Sequence, residues 1–244
     1  MPNVKRVIYD ATYYRRSKNL GSLIQRRIRG LVPEFVRRQA SEFVHSRFLP
    51  YQKNAISRER WEGEYDKGSW NHLENVRELV RYSAVIGYYS YYCGSGSVLD
   101  IGCGAGVLQR RLLLPGYAHY LGIDLSERAI AQAQRLARDP SAVFCCADAE
   151  LYTPHETFDV IIFNEVLYYL TDPVGVVQRL SSAIKPKGIG IVSMLRRASS
   201  KRIWQGLRQV MRIEDAVRVT NQDGTTWDIE VFPAPETHSR PAPA

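Results

Sequence analysis

The sequence predicts an α/β fold: a doubly wound, mostly parallel sheet with an N-terminal helical extension. Three observations carry this reading. Short apolar, β-branched runs alternate with helical ones from Ser97 onward, the pattern of βαβ units. A glycine-rich turn, Gly102-Cys103-Gly104-Ala105-Gly106, directly follows the first such run. Polar side chains then follow four successive runs, at the strand ends where open α/β sheets bind ligands. With 244 residues and 45% hydrophobic content the chain can bury one sizeable core, which excludes a disordered or fibrous protein.

In chain order, residues 17–50 place Leu20, Leu23, Ile24, Ile28, Leu31, Phe35 and Phe43 mostly at spacings of three and four, which predicts helix interrupted near Gly30 and Pro33. Arginines fill the other face. The polar stretch Gln52–Arg60 is the best boundary, so the expected organisation is a basic amphipathic helical extension or lid over 1–60, a catalytic domain over 61–233 and a Pro-rich tail over 234–244. A helix is expected from His72 to about Tyr92. Strands follow at Val98–Ile101, Tyr120–Ile123, Val143–Cys146, Phe158–Phe163 and Gly188–Met194, with helices at Gly106–Leu114, Ser126–Ala137 and Pro173–Ile184. Near the C-terminus, Ala216–Thr220 and Thr226–Val231 flank Asn221-Gln222-Asp223-Gly224, and Asp-Gly between alternating runs predicts a hairpin.

The net charge of +8 is unevenly placed. Residues 1–60 hold 14 basic and 4 acidic side chains, whereas residues 61–244 hold 19 and 21. The excess therefore belongs to the extension, and the polyanion binding that a basic protein suggests does not extend to the nearly neutral domain behind it. Cys93, Cys103, Cys145 and Cys146 lack the spacing of a disulfide scaffold or a zinc site, which favours a reducing compartment. No run reaches the roughly 18 to 20 apolar residues that span a bilayer, and the N-terminus carries charges where a signal peptide needs its apolar region. The expected location is the cytoplasm.

The glycine-rich turn needs glycine because the backbone must turn tightly and let a ligand approach with no Cβ in the way. Twenty residues after Gly104, Asp124 ends the second strand, where its carboxylate can accept hydrogen bonds from both hydroxyls of a ribose. A dinucleotide dehydrogenase could share both features. Here, however, the glycines read G-x-G-x-G, and Asp100 stands two residues before the first of them. A carboxylate there suits a ligand with a cationic amino group better than one with a pyrophosphate.

The runs VLDIGCGAG, YLGIDLSERAI, FCCADAE, FDVIIFNEVLYYL and IKPKGIGIVSM, in this order, resemble the class I S-adenosylmethionine-dependent methyltransferases over roughly residues 61–233. The resemblance implies a Rossmann-like sheet of seven strands with the seventh antiparallel, in agreement with the hairpin. It implies that Asp100, Gly102 and Gly104 hold the methionine part of the cofactor, Asp124 the ribose and Asp148 with Ala149 the adenine, that Asn164 with Glu165 borders the reacting methyl, and that Cys103, Gly106 and Leu125 also belong to the cofactor site. Tyr65 and Trp70 resemble the lid-side residues that close over the cofactor.

A sulfonium is already a strong methyl donor, so such an enzyme mainly aligns a nucleophile about 3 Å from the methyl and excludes water, and no metal is required. An acceptor hydroxyl or ammonium must lose a proton, and Glu165, Tyr168 and Tyr169 are the candidate catalytic groups, with Glu165 preferred. The alternative for these residues is a helix cap and packing. Asn164-Glu165-Val166-Leu167 replaces the Pro-Pro-Tyr motif of amino-methylating nucleic-acid enzymes, and no Pro-Cys pair stands there for cytosine C5 chemistry, so nucleic acid is disfavoured as acceptor. The Glu165–Leu170 run is similar to that of small-molecule methyltransferases, including those acting on sugars and on chitooligosaccharide amines. The expected reaction is methyl transfer to an O or N nucleophile of a small molecule or saccharide in biosynthesis; a non-catalytic cofactor-binding relative is the rival. The extension admits three readings: a lid helix, an interfacial helix meeting anionic lipid or a lipid-linked substrate through residues 1–50, or an arm holding RNA or another polyanion.

Overall fold

Val98–Ile101, buried at all four positions, is an interior strand of the sheet and is labelled β1. It pairs in parallel with β2 (Tyr120–Asp124) on one side and with β4 (Phe158–Asn164) on the other. A strand covered on both faces is mostly apolar, as β1 and β4 are apart from Asp100, Asp159 and the closing Asn164. The computed structural model describes residues 57–235. The expected N-terminal helices and most of the Pro-rich tail lie outside the described residues.

β3 (Ala142–Cys146) lies beside β2, and β5 (Ile184–Leu195) beside β4, both parallel. β7 (Thr226–Pro233) runs antiparallel to β5, and β6 (Asp215–Thr220) antiparallel to β7. The order β3-β2-β1-β4-β5-β7-β6 reverses direction between β1 and β4, which opens a crevice at their C-terminal ends. The β6–β7 hairpin closes as expected: Asn221 Oδ1 accepts from the amides of Asp223 and Thr225, and Gly224 takes a φ of +80°.

Helices cover both faces. On one face α2 (Leu79–Tyr92), α3 (Val107–Leu112) and α4 (Glu127–Leu136) pack Tyr82, Val85, Leu108 and Ile130 against Val98, Val160 and Ile191. On the other, α5 (Pro173–Ser181) and α6 (Ala198–Val210) pack Val177, Leu180, Ile203 and Leu207 against Leu99, Phe163 and Val192. A further short helix, α1 (Arg58–Asp66), crosses the boundary expected between residues 60 and 61 and contacts α4. Among the described residues no helix is long and apolar enough to cross a membrane.

Several expected bounds are corrected. The helix expected from His72 begins only at Leu79, because Asn75 is extended (φ −66°, ψ 154°) and splits the preceding stretch into 3-10 turns at Asn71–Glu74 and Val76–Glu78. α3 starts after Gly106, whose φ of +73° is left-handed, and ends at Leu112. α5 stops at Ser181 because Ile184 already pairs with Phe158, so β5 begins four residues before the expected Gly188. An irregularity in the β4–β5 register, with Lys187 at a φ of +69°, allows that earlier start. α1 and α6 were not anticipated from the sequence. α6 buries Ser200, Ile203, Trp204 and Leu207, a three-and-four spacing that was present to be read.

Candidate active site

The glycine-rich turn closes the gap between β1 and α3. Gly102, Gly104 and Gly106 all have positive φ, at +72°, +55° and +73°. The amides of Gly102 and Cys103 donate to Ile123 O at 2.8 and 2.9 Å, which ties the turn to the end of β2. Two close approaches exclude a side chain at its apex. A Cβ on Gly102 would lie 2.6 Å from Val166 Cγ2, and one on Gly104 2.8 Å from the Tyr65 hydroxyl. Cys103 is buried beneath the turn, and burial, with Asp124 and Asp100 nearby, pushes its thiol well above the ordinary range.

Two carboxylates flank this turn. Asp100 is 2% exposed; its Oδ2 accepts from the Tyr120 hydroxyl at 2.5 Å, while its Oδ1 is buried with no hydrogen-bond partner. Burial, which outweighs the Tyr120 bond, raises its pKa to about 7. Asp124 sits at the end of β2 with Oδ2 accepting from Gly104 N and Oδ1 from Ser126 N, both at 2.9 Å. Burial raises Asp124 as well, against the pull of those amides.

Beyond β3, Asp148 Oδ1 accepts from Glu150 N at 2.9 Å, and the Asp148 carbonyl accepts from Leu151 and Tyr152. These bonds curl residues 148–152 over the sheet edge. Arg179, in the last turn of α5, donates to the carbonyls of Ala149 (2.8 Å), Glu150 (3.0 Å) and Tyr152. Leu125 lies between Asp124 and Ser126, its carbonyl receiving the Cys146 thiol at 3.4 Å.

At the end of β4, Asn164 Oδ1 accepts from Arg81 Nη1, and Arg81, 1% exposed, also pairs with Glu78 at 3.1 Å. Glu165 follows in the left-handed region at φ 62°, held there by its amide donating to Ser193 O at 2.9 Å. Its Oε2 accepts from the Tyr168 hydroxyl at 2.6 Å, and its Oε1 is buried without a partner. Glu165 therefore does not cap a helix. Burial raises its pKa, opposed by Arg81, the Tyr168 bond and Arg197. The Arg197 guanidinium stands 4.0 Å over the Tyr168 ring. Tyr169 meets Trp61 edge-on at 4.8 Å, Trp61 lies 5.4 Å from Trp70, and Trp70 lies 6.3 Å from Tyr65.

The crevice thus gathers the expected residues into two groups: Asp100, the glycine turn, Asp124 and Tyr65 at β1 and β2, and Asn164, Glu165, Tyr168, Tyr169 and Trp70 at β4. Asp148 and Ala149 stand beyond β3, on the loop that Arg179 holds. Sequence reasoning missed Arg81, Arg179 and Arg197, and also Glu62 of α1, whose carboxylate accepts from the amides of Glu127 and Arg128 at 2.8 and 3.2 Å. None lies in a motif, and only one signal was available, the position of Arg197 just past the β5 run.

These residues fit S-adenosylmethionine. The orphaned Asp100 Oδ1 is a buried acceptor for a cationic amino group, and the glycine turn is a cradle that a Cβ would fill. Independent comparisons agree. The profile of a family described as "Methyltransferase domain" matches residues 94–227. The ubiquinone biosynthesis O-methyltransferase of Rhodopseudomonas palustris (strain HaA2) is 33% identical over 150 residues, 59% of this chain and 56% of that protein. The malonyl-[acyl-carrier protein] O-methyltransferase of Bacillus anthracis is 31% identical over 129 residues, 51% of this chain and 48% of that one. The chain thus spans about half the length of the curated relatives it matches. The solved structure of the N-methyltransferase NodS from Bradyrhizobium japonicum WM9, in complex with S-adenosyl-l-homocysteine, superposes with a TM-score of 0.59 at 25% identity, covering 68% of this chain and 92% of that one. Strand order, glycine turn and profile all converge, and the chain belongs to the class I S-adenosylmethionine-dependent methyltransferase family.

Proposed function

We propose that the protein transfers the methyl group of S-adenosylmethionine to an oxygen or nitrogen of a small molecule or saccharide in a biosynthetic pathway, with residues 61–233 as the catalytic domain. The observation that carries this reading is the unpartnered, buried Glu165 Oε1 across the β1–β4 crevice from the glycine turn. When bound, the cofactor supplies an electrophilic methyl on a sulfonium. Asp100 holds the amino group, with Gly102, Cys103, Gly104 and Gly106 admitting the methionine backbone. Asp124 and Leu125 bind the ribose. Asp148 and Ala149 meet the adenine, and Asn164 borders the methyl.

Glu165 Oε1 takes the acceptor proton, and Tyr168 keeps the carboxylate aimed by holding its other oxygen. Tyr169, Trp61, Trp70 and Tyr65 exclude water from the reacting pair. Such an aromatic enclosure also suits the flat face of a sugar or an aromatic acceptor. The named relatives support both acceptor atoms, two being O-methyltransferases and one an N-methyltransferase.

Titration calorimetry with S-adenosylhomocysteine tests the cofactor half of the reading. Release of S-adenosylhomocysteine on incubation with a panel of catechols, carboxylates and amino sugars tests the other. A protein that binds neither S-adenosylmethionine nor its product sinks the proposal, and Asp124→Ala is expected to abolish that binding.

A further inference from the structure

α1 carries two side-chain stripes, each at the i, i+4 spacing that brings helical residues together. Trp61 and Tyr65 form the aromatic stripe, which reaches Tyr169, Trp70 and the Gly104 position. Arg58, Glu62 and Asp66 form a charged stripe facing the start of α4. Arg58 pairs with Glu127 at 3.0 Å and Asp66 with Arg128 at 2.6 Å, both pairs largely exposed. Glu62, at the centre, is 14% exposed.

Both Glu62 oxygens are engaged. Oε1 accepts from Glu127 N at 2.8 Å, and Oε2 from Ser126 Oγ at 3.0 Å and Arg128 N at 3.2 Å. The neighbouring amides are met from within the loop: Ser126 N donates to Asp124 Oδ1 at 2.9 Å and Ala129 N to Ser126 Oγ at 3.1 Å. Four successive amides at this helix end, which α-helical bonding leaves without partners, are therefore satisfied by three side chains. The two middle ones depend on a residue of α1, and the first depends on Asp124.

We propose that Glu62 is a cofactor-positioning residue: by capping α4 from α1 it holds the Asp124–Ser126 loop and at the same time seats Tyr65 over the glycine-rich turn and Trp61 against Tyr169. This rests on the cofactor reading given above. α1 has nine residues and none of them is buried, and an isolated helix of that length is marginal in water. Its place is consequently set by its contacts. The exposed Arg58 and Asp66 pairs contribute little, whereas a carboxylate on helix N-terminal amides gains from both hydrogen bonding and the helix dipole. Occupancy of the cofactor cleft and seating of α1 are in this way a single equilibrium, and loss of the Glu62 cap lowers affinity at a residue that does not itself touch the cofactor.

The experiment uses the full chain with Glu62→Ala, Glu62→Gln and, as a control on the outer pairs, Asp66→Asn. S-adenosylhomocysteine affinity is measured by calorimetry, and amide exchange of residues 58–66 and 127–128 by mass spectrometry without ligand. Glu62→Ala is expected to weaken binding about 3-fold to 30-fold, the range set by one helix cap, and to speed exchange in both segments. Glu62→Gln keeps an acceptor oxygen and restores part of both effects, while Asp66→Asn stays within about twofold of wild type. Binding by Glu62→Ala within twofold of wild type, or unchanged exchange in both segments, overturns the proposal. If the wild-type protein itself does not bind S-adenosylhomocysteine, the cofactor reading fails instead, and the exchange comparison still decides whether Glu62 seats α1. Should Glu62→Ala not fold, Glu62→Gln decides by the same two measurements.

Discussion

The Tyr168 hydroxyl donates a 2.6 Å hydrogen bond to one oxygen of Glu165 and leaves the other oxygen buried and unpartnered. A carboxylate so divided has one oxygen fixed for orientation and one open for a proton. Glu165→Gln is expected to lower methyl transfer by at least about 100-fold, the usual worth of a positioned base, while S-adenosylhomocysteine affinity stays unchanged. Tyr168→Phe keeps the base and loses its aim, so its loss is smaller. Burial raises the Glu165 pKa against Arg81, Tyr168 and Arg197. The base works when deprotonated, so the rate should climb with pH through a value above the ordinary carboxylate range and then level off. A rate independent of pH from 5 to 8 would contradict the assignment.

Glu165 adopts a φ of 62°, a region that side chains other than glycine enter at a cost of about 1 kcal/mol or more. Its buried Oε1 adds a desolvation penalty. Glu165→Gly removes both and loses the Tyr168 bond. The expected outcome is a protein no less stable in urea than wild type, by about 1 kcal/mol in its favour, and inactive. Marked destabilisation would mean that the geometry is supported by packing of the Glu165 side chain, not imposed on it by the Ser193 bond.

Asp100 gives the sharpest dependence of cofactor binding on pH. Burial raises its pKa to about 7, and its free Oδ1 is the acceptor assigned to the cofactor's amino group. A cation favours the ionised carboxylate, so binding draws the proton off Asp100. Below pH 7 that proton must be released, and S-adenosylhomocysteine affinity is expected to fall as pH drops from 8 to 6. Above pH 7 the uncomplexed protein instead carries the cost of a buried charge. Calorimetry in two buffers of different ionisation enthalpy should count a proton released near pH 6, and Asp100→Asn should abolish the count. No release in the wild-type protein would remove Asp100 from this role.

Strand ends were the legible part of this site. Buried parallel strands are mostly apolar, so Asp100, one residue before the end of β1, and Asp124 and Asn164, which close β2 and β4, stand out, and the glycines mark the turn that brings a ligand to them. α1 was not legible, because neither of its stripes is an apolar face: one is aromatic and short, the other charged, and each is completed only by α4 or the crevice. Asn75 carried no sign that it would split the helix expected from His72. Glu62, Arg81 and Arg179 act through backbone amides, a side-chain amide and carbonyls that are remote in sequence, up to 83 residues away for Arg81 and Asn164, and a motif search has no access to such pairs.

Arg179 offers a test of the adenine side that is independent of the methyl-transfer chemistry. Its guanidinium reaches three carbonyls of one loop, those of Ala149, Glu150 and Tyr152, and the Glu150 carboxylate returns to α5 by accepting from Thr171 N at 2.6 Å and Asp172 N at 3.2 Å. The loop after β3 is therefore shaped by Arg179 of α5 as well as by the bonds that Asp148 makes within it. Charge-assisted bonds of this kind are worth about 1.5 to 3 kcal/mol each at most, and part of that is regained from water when the loop relaxes. Arg179→Ala is expected to weaken S-adenosylhomocysteine about 10-fold, corresponding to ~1.4 kcal/mol. Lysine has no planar fork to span three carbonyls, so Arg179→Lys should recover little. Because the defect sits at the adenine end, adenosine alone should lose affinity by the same factor as the whole product. An Arg179→Ala protein that binds adenosine as tightly as wild type would place the adenine away from Asp148 and Ala149.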